Sequence, residues 1–458
     1  MSYLGTPYKS FKYNNTVDTI TNQTIGGVKT FTSSPVVPDA AADNEPLSQG
    51  QLAGVVGRLS SPLLDLPLKN SLAMKAGVGS VVFSRSTTAT YIDRYGVLQT
   101  AAIDEPRFEK DGLLIEGGST NILISSEDFT SANWVLGTNN TVTADAVASP
   151  DTNVTADRLN FSADAGTIYN ESSITPSAGD KYTVSCFIKK DTLDTVKMQC
   201  FFSGGAVNLD GYVEYTFSTG GLINSGTNPL TNLKVESLAD GWFRLSGTSV
   251  ALAGDETIVR FSLQQGGTEV GSVKELFAYG AQVEQLPFAS SYIPTTSAAV
   301  TRGKDICEVD YKNNVTENSG NVSYSVESSV IGNTGGNQAI FEKSNSLYNM
   351  VRYQSDNRII CYCDGSGVLQ SASNWSPNVT KNTITVYKDD FTVTTFDNGV
   401  LVTKDKAFTY NDINAAYLLT LGIRAYKNTN ILWGHIKNFK IYDYALSGTE
   451  CKLLGGKA

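Results

Sequence analysis

Imidazole chemistry has a single place to happen in this chain, because His435 is its only histidine. A Ser-His-Asp or Cys-His nucleophile would have to be built around it. His435 stands in a dense strand-like run beside Trp433 and Lys437, and no Gly-x-Ser-x-Gly elbow accompanies it. The expected role is a satisfied or surface strand histidine. Zinc sites with several histidine ligands are excluded, and the cysteine spacing lacks paired Cys-x-x-Cys motifs. Glycoside hydrolysis survives this test, since it asks only for two carboxylates about 5–9.5 Å apart. Gly-Gly pairs follow turns rather than opening helices, so no phosphate cradle is expected.

Sugar binding needs an aromatic platform with Asn, Asp or Arg nearby to meet hydroxyl groups. Asn374 and Trp375 fall in a polar loop running from Gly365 to Pro377, and Tyr426 follows Arg424 near another loop. Asn374, Trp375, Arg424 and Tyr426 are therefore the candidate ligand-binding residues. Trp375 equally suits sealing a sandwich or a trimer interface. Trp242 and Trp433, inside strand-like runs, read as core, and Trp134 fits either role.

The composition says what kind of elements hold these residues. At 458 residues the chain exceeds the size of one growing core, so two or more domains are expected. Charged residues make up 17%, below the roughly 25% usual for soluble domains. With 22 Tyr and 19 Phe among many Thr, Ser, Asn and Gly, the vocabulary is that of strands and tight turns. The formal charge is −10 and no basic run occurs, which argues against nucleic acid, whose phosphates require Lys/Arg clusters. No run of 18 apolar residues is present, so no membrane insertion is expected. The opening residues show no secretory signal. The six cysteines, Cys186, Cys200, Cys307, Cys361, Cys363 and Cys451, read as free and mostly buried thiols.

Four stretches succeed one another along the chain: 1–57, 58–125, 126–304 and 305–458. The first is polar and turn-rich, with an Asn22–Thr32 segment resembling the QTI-G-KTF element of bacteriophage tail-fibre shafts. Its Ile25, Val28 and Phe31 cannot make a core alone, so ordering in a homo-oligomer is expected. Asp43–Leu52 could open one short helix; no other helix of any length is expected. The second stretch carries alternating β-formers over Val81–Asp93, a turn at Arg94-Tyr95-Gly96, then Glu105–Phe108 and Gly112–Leu123. It resembles the lead-in upstream of the jelly roll in phage and prophage fibre proteins, and Arg107 with Glu116 reads as a structural ion pair.

The third stretch has short strand-like runs separated by Gly, Asp, Asn and Ser turns, a spacing that favours an antiparallel sandwich. Gly241-Trp242-Phe243-Arg244-Leu245-Ser246 resembles the GW-R-S strand of carbohydrate-binding jelly rolls, and Ser126–Phe129 with Ser149–Asp151 resembles their opening. Glu284–Arg302 resembles the seam that closes such a jelly roll in phage fibre and spike proteins. In the fourth stretch, Asp397-Asn398-Gly399 is a strong hairpin signal, and Leu418–Arg424 is a short apolar run. Gly434–Ser447 resembles the closing strand of concanavalin-like and laminin-G-like domains.

The fold expected is all-β: tandem antiparallel β-sandwiches, a jelly roll plus a concanavalin-like domain, after an extended N-terminal virion-anchoring segment. The resemblance implies a tailed-phage fibre or spike protein located in the virion and assembled in the host cytoplasm. Its partners would be itself, most plausibly as a trimer, other virion proteins through the N-terminal segment, and host cell-surface polysaccharide. Concanavalin-like hydrolases present Glu-x-Asp-x-x-Glu runs, and none is found here. Asp389-Asp390 flanks a turn, and Glu308 with Asp310 lacks a third partner. Asp389, Asp390 and Asp397, the nearest calcium candidates, read as turn acids. No catalytic residue, cofactor or metal is expected. The competing readings are a collar, tail or head decoration without adhesion, and a polysaccharide depolymerase.

Overall fold

The computed structural model describes residues 61–162, 166–267, 272–311, 313–314, 321–344, 350–363, 367–390, 392–407, 418–423 and 430–456, with Gly54 and 56–59 helical. The shaft-like segment at 22–32 and the short helix expected at 43–52 lie outside the described residues. The chain divides into Met1–Ser60 and Ser61–Ala458, and the sheets, cores and clefts all belong to the second unit. Among the described residues no helix is long and apolar enough to cross a membrane.

Alternation of side chains sets the strands. In Thr195–Ser203 the residues Val196, Met198, Cys200 and Phe202 turn inward, while Lys197, Gln199 and Phe201 remain partly exposed, as the period of two requires. Two six-stranded antiparallel sheets built from such strands form the jelly roll. One runs Thr231–Ser237, Trp242–Thr248, Thr183–Lys190, Lys274–Glu284, Val154–Phe161, Thr141–Ala148. The other runs Gly221–Ser225, Leu209–Thr216, Thr195–Ser203, Ile258–Gln265, Thr167–Ser173, Val135–Leu136. Leu159, Phe161, Ile188, Met198, Phe261 and their neighbours fill the space between the sheets.

The second sandwich is assembled from two distant parts of the chain. Its central strand Gly434–Tyr442 pairs with Val322–Val330 on one side. On the other side it pairs with Leu64–Leu66 and Gly112–Ile115. In the opposite sheet, Val81–Ser84 caps Ile306–Asp310. The region at 58–125, expected as a small β region of its own, thus supplies strands to both sheets of the sandwich beyond the jelly roll. The physical reason is edge satisfaction: Gly434–Tyr442 would otherwise leave a row of backbone donors and acceptors unpaired. The jelly roll is consequently an insertion. The chain leaves through Ser119–Asn121 and returns through Val300–Arg302, and these two strands pair with each other.

Asn398 and Gly399 both take positive φ, 49° and 74°, closing the two-residue hairpin read from the sequence. One helix was missed: Gly448–Leu454. Ser447 accepts from the Glu450 amide while the Glu450 carboxylate accepts from the Ser447 amide, a capping box.

A third, smaller core joins the modules. The hairpin of Ala89–Ile92 and Leu98–Ala101 lies on the outer face of the first jelly-roll sheet, where Leu98 packs with Phe187, Leu238, Trp242, Tyr279 and Tyr292. Gly96 makes the approach possible: its φ is 82°, and a Cβ there would stand 2.9 Å from the Ala239 backbone nitrogen.

Candidate ligand cleft at the junction

Of the four residues singled out for sugar binding, only the Trp375 side chain lies within the described set. Trp375 is only 2% exposed; its indole N–H donates to the Gln354 carbonyl at 3.1 Å and its ring packs edge-on against Tyr353. Its faces are closed to a sugar, so it seals the sandwich instead. Asn374 ends the strand Gly367–Asn374, and its side chain is outside the described set; Arg424 and Tyr426 lie outside the described residues. Trp134, Trp242 and Trp433 are all buried. Cys186, Cys200 and Cys307 are free, buried thiols, and Cys361 and Cys451 are buried too. Burial pushes Cys186 and Cys307 up to about 12, which makes them inert as nucleophiles.

What the seam at Glu284–Arg302 does is lock the modules together. Arg107 donates to Glu116 at 2.7 Å and to Asp305 at 2.5 Å, Arg85 reaches Asp305 at 3.2 Å, and Arg302 lies 3.1 Å from Glu116. All of these side chains are buried. Arg107 and Glu116 are thus the structural pair their spacing suggested. Burial alone would raise the Glu116 carboxyl. Arg302, Arg107 and the Ser291 hydroxyl and amide more than reverse that, holding it down at about 2. The seam adds Ser290, whose amide and hydroxyl donate to Glu284, and Phe288, which packs edge-on against Trp433.

Beside this lock the two modules leave an open cleft of about 360 Å³. One wall comes from the hairpin and the turn after it, through Tyr91, Ile92 and Glu109–Asp111. The jelly roll gives Phe187, Lys234–Ser237 and Arg244, the seam gives Ala289–Tyr292, and the second sandwich gives Ile331, Asn378 and His435. His435 Nε2 lies 2.9 Å from Glu109 Oε2, and its Nδ1 is 3.5 Å from the Ser329 hydroxyl. The lone histidine is therefore a satisfied strand residue, though it faces the cleft. Burial raises Glu109, but His435 and the Ile92 amide outweigh it and hold the carboxyl below its ordinary value. A second hollow of about 260 Å³ shares Ile92, Glu109, Lys110, Glu236 and Ser237 with the first, and Tyr95 stands at its edge, 77% exposed.

The result is a polar groove with an exposed aromatic ring on its rim, which suits a polyhydroxylated ligand. Sequence reading missed Tyr95 although it had placed a turn there. A large aromatic at the tip of a tight turn, where small polar residues are usual, was the available signal.

No family model matches the chain, and no curated protein matches it. Among solved structures it is similar to the receptor-binding domain of a botulinum neurotoxin C/D mosaic serotype: 14% identity, 33% of this chain, 40% of that one, TM-score 0.28. A structure described under botulinum neurotoxin type C cell entry through two ganglioside molecules gives the same values. The binding domain of botulinum neurotoxin DC in complex with rat synaptotagmin II gives 13% identity, the same coverage and TM-score 0.28. The chain spans less than half the length of these structures, and a likeness this partial carries no functional argument. The fold is all-β, in multiple antiparallel sheets.

Proposed function

We propose that this chain is a structural protein of a tailed-bacteriophage virion, a tail fibre or related spike, that attaches to host-surface glycan through the junction groove. The observation that carries the binding role is the groove itself: a polar cleft between two modules joined by paired straps and a shared small core, with Tyr95 on the adjoining hollow. The phage assignment rests on the shaft-like, seam and closing-strand motifs. In this reading the N-terminal segment joins the particle and helps form a trimer, and several weak sites acting together give avidity. Binding, not turnover, is the mechanism.

A non-adhesive collar or decoration is the second reading. It is favoured by the jelly-roll edge strand Gly221–Ser225, where Leu222 and Ile223 are exposed and could pack on a neighbouring virion protein. Adsorption decides between them. Purified full chain is expected to bind host envelope polysaccharide and to compete with phage adsorption, and Tyr95→Ala is expected to weaken both. Antibody labelling at an internal collar, with no competition, would overturn attachment. Release of reducing ends from the polysaccharide would overturn binding without turnover.

A further inference from the structure

The junction holds four buried arginines that differ in one respect. Arg85, Arg107 and Arg302 each face a carboxylate of Glu116 or Asp305. Arg244, in the Gly241–Ser246 motif, does not. It is 8% exposed, its Nη2 donates to the Ser185 hydroxyl at 3.0 Å, and its guanidinium lies over the Phe187 ring. Its Nε has no hydrogen-bond partner. Glu236 stands opposite it in register on the neighbouring strand, yet the ion pair Glu236 makes is with Lys234, at 3.5 Å. A guanidinium carries five N–H donors, and Arg244 uses one on a neutral hydroxyl.

Leaving a buried cation without a counter-charge is costly, and this one lines the cleft. The nearby carboxylates are otherwise engaged: Glu116 with Arg107 and Arg302, Glu109 with His435, Glu236 with Lys234. Asp111 stands with Lys110 on the opposite wall of the cleft. The missing counter-charge is therefore expected from the ligand. A planar guanidinium fork matches a carboxylate, while Asn378 in the same cleft and the exposed Tyr95 of the adjoining hollow suit the hydroxyls and ring faces of a sugar.

We propose that the cleft takes an acidic saccharide, with the sugar carboxylate seated on Arg244. This rests on the glycan-attachment reading and narrows it to a ligand class. The test uses the full chain and titrates oligomers of galacturonate, of glucuronate with N-acetylglucosamine, and of N-acetylneuraminate. Each is compared with its carboxyl-reduced form, in which the acid has become an alcohol. At least one acid form is expected to bind about tenfold or more tighter than its reduced form, and the preference should shrink as salt is added. Arg244→Gln is expected to bring the two forms together. If that variant does not fold, the acid and reduced pairs on the unaltered protein decide alone. Equal affinity for acid and reduced forms, or binding only to neutral glycan, overturns the acidic-ligand assignment and leaves attachment standing. Failure to bind these probes or any host polysaccharide overturns attachment as well.

Discussion

The jelly roll and the sandwich that receives it bury similar apolar cores by opposite routes. The jelly roll closes both sheets with chain from one contiguous stretch, between the straps at Ser119–Asn121 and Val300–Arg302. The second sandwich cannot close until Leu64–Leu66 meets Phe439–Ile441, more than 370 residues later. Long-range pairing of this kind is slow to form, because loop-closure entropy comes before any contact is gained. The two also differ in what fills their margins. Apolar residues line the space between the jelly-roll sheets, whereas the flank of the second sandwich at the junction holds five buried charges joined in ion pairs. One module is set up to fold as a unit; the other depends on chain, and on charges, that arrive from elsewhere.

The largest effect should come from dividing the chain. Expressed alone, residues 119–302 are expected to give a cooperative unfolding transition, and residues 305–458 none, with order restored when 61–118 is supplied in trans. Folding of 305–458 by itself, seen as dispersed amide resonances, would break the comparison. A smaller but still large loss is expected from Asp305→Asn, which leaves Arg85 and Arg107 without their shared counter-charge. Removing one partner of a buried pair typically costs about 3–5 kcal/mol. In urea unfolding the loss should fall on the second sandwich while the isolated jelly roll, which lacks this residue, keeps its midpoint.

The mildest test is pH, where the modules should move in opposite directions. Glu116 is held at about 2 in the folded junction. The stability it supplies is complete above its unfolded value near 4.5 and is lost as pH falls toward 2. In the jelly roll, burial raises Asp157 to about 6, although the Phe129 and Asp145 amides pull the other way. Its contribution is present below the unfolded value of 3.8 and is lost as pH rises through 6. A tenfold change in proton affinity between folded and unfolded chain corresponds to about 1.4 kcal/mol. Acidification from about pH 7 to 5 should therefore stabilise the jelly roll, and from about 4.5 to 2 should weaken the junction. Glu116→Gln should abolish the second limb and Asp157→Asn the first, read from denaturant midpoints across pH.

Features written in neighbouring residues were legible in the chain itself. Asn398-Gly399 closes its turn because both residues tolerate positive φ, and Arg107 finds Glu116 only nine positions on. The sandwiches followed from strand-length runs and turn residues. Trp375 stayed open between a glycan platform and a sandwich seal because its sequence neighbours are polar, while its burial is decided by Tyr353 and Gln354. The same holds for the edge strands at 64–115, three or four residues long, too short to advertise a partner hundreds of residues away. The groove draws on hairpin, jelly roll, seam and closing strand together, so no local spacing could outline it. Ser447-x-x-Glu450 is a readable capping box, but it follows a strand-like run directly and opens a helix of only 7 residues.

The paired straps, three residues against three, have a mechanical consequence. A module hung on a single strand can swivel freely, but one hung on two ropes side by side resists twisting and passes torque along. A pulling load applied across the two modules must shear Asn121 from Val300, Thr120 from Thr301 and Ser119 from Arg302 together before the modules part.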